Sequence, residues 1–66
     1  MSNYDIPSEQ KALLRSNKVA EFKSLIAQRE IDVVVFTATE NTEEAAAAQA
    51  EIDGAKAAID ALVALG

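Results

Sequence analysis

Residues 31–39 read Ile31-Asp32-Val33-Val34-Val35-Phe36-Thr37-Ala38-Thr39, and the fold turns on how they are read. β-Branched and aromatic residues dominate the stretch, which is the composition of a strand. On a pleated backbone Ile31, Val33, Val35 and Thr37 share one face, and Asp32, Val34, Phe36 and Ala38 the other. Both faces are largely apolar, so both are expected to be covered. A buried strand must pair its N–H and C=O groups. Within the chain only residues 1–6 are available to pair with it, and no Asn-Gly or Asp-Gly turn is present to fold the stretch into a hairpin. Two arrangements follow. Either the strand completes a sheet with another chain, or it is an extended connector filling the space between two helices.

Working outward, residues 8–29 read as a helix. Pro7 is tolerated in a first turn, and Ser8 can cap. Ala12, Leu14, Val19, Phe22, Leu25 and Ile26 gather on one side at 100° per residue, an amphipathic pattern. Lys11, Arg15 and Lys18 lie on or beside that side, and Ser16-Asn17 is a candidate break. Ahead of this helix, residues 1–6 form an extended lead-in with Tyr4 and Ile6 as anchors, because Pro7 disfavours helical geometry at Ile6.

On the other side, residues 42–65 read as a second helix. Asn41 stands at the N-cap with Glu44 three residues on, as in a capping box. Ala45, Ala48, Ile52, Ala55, Ile59 and Leu62 follow 3-4 spacing, a seam of the coiled-coil kind. Small residues on that seam let another helix come close. Gly54 costs about 1 kcal/mol against Ala inside a helix. The expected fold class is therefore α+β and mostly helical, in one small domain: an N-terminal helix, one short central β segment, and a long Ala-rich C-terminal helix.

Composition narrows the function. The chain has 66 residues, and 14 of its apolar residues are Ala, which supply little bulk for a core. A chain this short buries only about 60% of its unfolded surface and usually needs a disulfide, a metal or a partner. Cys and His are both absent, which removes disulfides and the usual zinc, haem and iron–sulfur ligands. The same absence removes the ordinary neutral-pH base and the strongest nucleophile, so no enzyme activity and no cofactor is expected. Glu43-Glu44 and the pair Asp53 and Asp60 read as solvated charge flanking the seam. No segment resembles a signal peptide, and none is long and apolar enough to span a bilayer.

Charge is split along the chain. Residues 7–30 carry five bases against three acids, a balance of +2. Residues 31–66 carry seven acids and the single base Lys56, a balance of −6, and with Asp5 the total is −5. Complementary halves suit a helical hairpin in which the first helix folds back on the second. The acidic total argues against nucleic-acid binding and against anionic membranes.

The order helix, short β segment, acidic-start helix, with Val34-Val35-Phe36-Thr37-Ala38-Thr39 closing the β segment, resembles the small head-completion proteins of tailed bacteriophages, the lambda W type. That resemblance implies a helix, a small β-hairpin and a second helix docking at a head–tail junction, and a cytoplasmic or virion location. The basic hairpin turn and basic tail of that family are missing here. The expectation is a non-enzymatic structural or assembly protein, a small virion component that binds itself or a larger structural protein. The alternative is a small acidic regulatory binder, antitoxin- or inhibitor-like, that masks a basic surface. The residues expected to meet a protein partner are Val33, Val34, Val35 and Phe36 in the central segment and Ala48, Ile52, Ala55, Ile59 and Leu62 on the seam.

Overall fold

The computed structural model describes residues 7–65, so the expected lead-in with Tyr4 and Ile6 lies outside the described residues. Two helices account for nearly all of them: α1, Ser8–Ala38, and α2, Thr42–Ala64. They fold back on one another as an antiparallel hairpin in a rod of 55 × 19 × 14 Å.

The α+β expectation is therefore corrected. Among the described residues there is no strand, and the stretch from Ile31 to Ala38 is the last two turns of α1. The physical reason lies in the spacing of the larger half-buried residues. Arg15, Val19, Phe22, Ile26, Arg29, Val33 and Phe36 recur at alternating intervals of four and three, and all are half-buried. Val33 and Phe36 thus continue the seam already set by Phe22 and Ile26. The helical penalty for a β-branched residue is below about 0.7 kcal/mol each, which seam packing outweighs. A helix also pairs its own N–H and C=O groups, so the stretch needs no strand partner. α1 passes unbroken through Ser16-Asn17.

α2 supplies the matching seam from Ala45 to Leu62, and its Ala48, Ile52 and Ala55 are the buried residues among those described. Large side chains on α1 facing small ones on α2 allow the two axes to lie close. Gly54 does not face α1: a Cβ built there meets nothing within 4 Å.

The turn spans Thr39, Glu40 and Asn41. The Asn41 N–H donates to the Phe36 carbonyl at 2.8 Å and the Glu40 N–H to that of Thr37 at 3.2 Å, a Schellman closure of α1. Glu40 takes the left-handed conformation this closure requires, with φ 61°. The capping expectations are also corrected. Asn41 makes no side-chain cap; its Nδ2 donates instead to Thr39 Oγ1 at 2.8 Å, and that hydroxyl donates to the Val35 carbonyl at 2.9 Å. Pro7, not Ser8, sits at the N-cap of α1, where its carbonyl accepts from the Lys11 N–H at 2.9 Å.

Candidate functional site

The hairpin uses one side of each helix internally and leaves open the back of each helix and the two broad sides. The expected partner-binding residues divide accordingly. Ala48, Ile52 and Ala55 are buried between the helices, and Ile59, Leu62, Val33 and Phe36 are half-buried along the same seam. Val34 and Val35 point away from it, 68% and 50% exposed. The fold brings the seam residues together and leaves those two valines outside.

The first open surface is the back of α1. Leu13, Asn17, Ala20, Ser24, Ala27, Ile31, Val34 and Ala38 repeat the 4-3 spacing on the side opposite the seam, and every one is exposed. The row carries no charge along its length. Leu13 and Ile31 are 61% and 64% exposed, comparable to Val34. Reading residues 31–39 as a strand hid this row from sequence analysis, because Ile31, Val34 and Ala38 align with Ala27 and Ser24 only on a helix.

The second is the back of α2, where Ala50, Gly54, Ala57, Ala61 and Ala64 form a row of small residues. It is smooth and nearly featureless, with no large side chain to grip a partner.

The third is one broad side of the hairpin, where both helices contribute. Two clefts open on it, one at each end of the rod. Near the open end, Leu14, Leu62 and Leu65 line a cleft of about 520 Å³ rimmed by Lys11, Arg15, Lys18 and Glu21, a net charge of +2. Lys18 Nζ lies 3.2 Å from Glu21 and 5.9 Å from the centre of the Phe22 ring. Near the turn, Phe36, Ala47 and Ala48 line a cleft of about 360 Å³ whose charged members are Arg29, Asp32, Glu44 and Glu51, a net charge of −2.

Arg29 ties the helices together at the edge of the second cleft. Its Nη1 donates to Asp32 at 2.6 Å, and its Nε forms an ion pair with Glu51 across the seam, without a hydrogen bond. Asp32 foremost, then Glu51, holds the guanidinium above its ordinary pKa, so it stays charged at any pH compatible with the fold. Both carboxylates are partly solvated, and the pair orients the helices more than it stabilises them.

Among the described residues, no group of three or more Asp or Glu side chains is placed to hold a metal ion, and no helix is long and apolar enough to cross a membrane. The fold and its surfaces define the class: a two-helix antiparallel hairpin with its core closed by α1 against α2 and its outer faces open. Compared with known proteins, the chain matches no family model, no curated protein and no solved structure.

Proposed function

We propose that this chain is a non-enzymatic assembly module that works by packing its outer faces against protein. The observation that carries this reading is the uncharged row on the back of α1, with Leu13, Ile31 and Val34 largely exposed. Such a row, continuous over the length of a helix, favours a further helix laid against it. The lack of Cys and His supports a role without chemistry. The virion setting rests on the resemblance in residues 34–39, which here close a helix instead of a β-hairpin. A second reading, an acidic binder that masks a basic surface, is favoured by the acids gathered near the turn, among them Glu40, Glu43, Glu44, Glu51 and Asp53.

The test is retention of proteins from source cells on the full chain, beside the Ile31→Lys/Val34→Lys double variant. Both substitutions are at exposed helical positions, so the hairpin should keep its circular dichroism. The expected result is a protein retained by the natural sequence and lost from the variant. A protein retained equally by both, through acids near the turn, would favour the second reading.

A further inference from the structure

We propose that a second copy of this chain docks antiparallel on the cleft-bearing side, so that two hairpins close into a four-helix bundle about a twofold axis. This deepens the assembly reading above, and rests on it, by naming the partner. The argument comes from what recurs along the edges of that side. On α1 the seven-residue repeat is Lys11, Lys18, Leu25, Asp32; on α2 it is Glu44, Glu51, Ala58, Leu65. Because the helices are antiparallel, the α1 edge runs from bases at the open end to an acid at the turn end, and the α2 edge from apolar Leu65 at the open end to acids at the turn end. Bases lie at the open end, apolar residues at the middle, and acids at the turn end.

A twofold rotation about an axis that lies in the interface and crosses the rod turns this side to face its copy and exchanges the two ends. It sets the +2 cleft of one copy over the −2 cleft of the other, and does so twice. α1 then runs antiparallel over α1 of the second copy, so Lys11 and Lys18 lie over its turn end, on the side of Asp32 and beside the acids Glu44 and Glu51. The uncharged positions Leu25 and Ala58 fall beside the axis, where each copy meets itself. A parallel copy would instead stack like charge on like. The surface is thus complementary to itself in one orientation, as an isologous interface requires.

Packing points the same way. In a lone hairpin the seam residues Val19, Phe22, Ile26, Phe36 and Leu62 stay half-buried, since two helices cover each seam from one direction only. A second hairpin on the cleft-bearing side covers it from that direction as well. The rod's broad side, 55 by 19 Å, is on the order of 1,000 Å² per copy, against about 800 Å² per partner in a standard interface.

The experiment is sedimentation equilibrium of the full chain at about 100 µM, where a micromolar dimer is nearly saturated. The natural sequence should show twice the mass of the chain, shifting toward monomer as salt is raised. Lys11→Glu/Lys18→Glu and Glu44→Lys/Glu51→Lys should each associate at least about tenfold more weakly, as expected when facing charges become like. An equimolar mixture of the two should recover the dimer. Because Glu51 also pairs with Arg29, Glu44→Lys alone replaces the second variant if circular dichroism shows the double one unfolded. A monomeric natural chain, or a dimer indifferent to both reversals, would overturn the proposal. Failure of the broader reading looks different. If Ile31→Lys/Val34→Lys breaks the dimer and the charge reversals do not, copies meet on the back of α1 and assembly stands. A monomer that also retains no protein from source cells removes both.

Discussion

At the scale of single residues, the turn holds the least comfortable position in the molecule. Glu40 adopts φ 61° with a full side chain, where glycine is the usual occupant. A left-handed conformation costs a non-glycine residue about 1–2 kcal/mol. Glu40→Gly relieves that cost, less the extra freedom glycine has in the unfolded chain. The expected net gain is about 1 kcal/mol, read as a higher urea midpoint with an unchanged slope. The Schellman bonds from Asn41 and Glu40 are main-chain bonds and survive the change. Thr39 and Asn41 support the turn through their side chains, which is why Asn41 is not free to cap α2.

At the scale of the element, residues 31–38 decide between one long helix and a helix followed by a strand. Val34 discriminates, because it is exposed and its side chain contributes little packing. Val34→Pro in a helix interior removes a hydrogen bond and clashes with the preceding turn, costing roughly 3 kcal/mol. Val34→Ala should be neutral or slightly stabilising in a helix and destabilising in a strand. Thermal unfolding of the two variants followed by circular dichroism checks both signs. This element also shows how much was legible. The α2 seam was plain because Ile52, Ile59 and Leu62 stand out against alanine, and because Lys56 and the acids stay off it. The split of charge, correctly read as favouring a hairpin, reappears as the Arg29–Glu51 pair. The α1 seam is hard to follow past Ile26, for two reasons. Arg29 interrupts its apolar character at a seam position, where Asp32 holds it by a hydrogen bond and Glu51 by charge. Beyond it, apolar residues occupy both the seam and the back of the helix, so the contrast between faces fades and Val33-Val34-Val35 has the composition of a strand. The open row on the back of α1 was missed with it, since its spacing exists only if the helix continues.

At the scale of the whole molecule, stability rests on a narrow base. A chain of this length has a total stability of about 3–10 kcal/mol. Ile52 is the largest of the three buried residues, at 3% exposure. Ile52→Ala should cost about 2–4 kcal/mol. The expected outcome is a marked fall in the midpoint of chemical unfolding, with a substantial unfolded fraction in the absence of denaturant if the chain starts near the low end of that range. The short turn carries one more consequence, for the order in which the rod forms. Three residues bring Phe36 opposite Ala48 at little loop-closure cost, and the three buried residues follow directly in that half. Structure then propagates from the turn outward, each added pair of turns closing on the last. The end that carries the bases is therefore the last to zip and the first to fray, and its cleft opens and recloses many times for each complete unfolding.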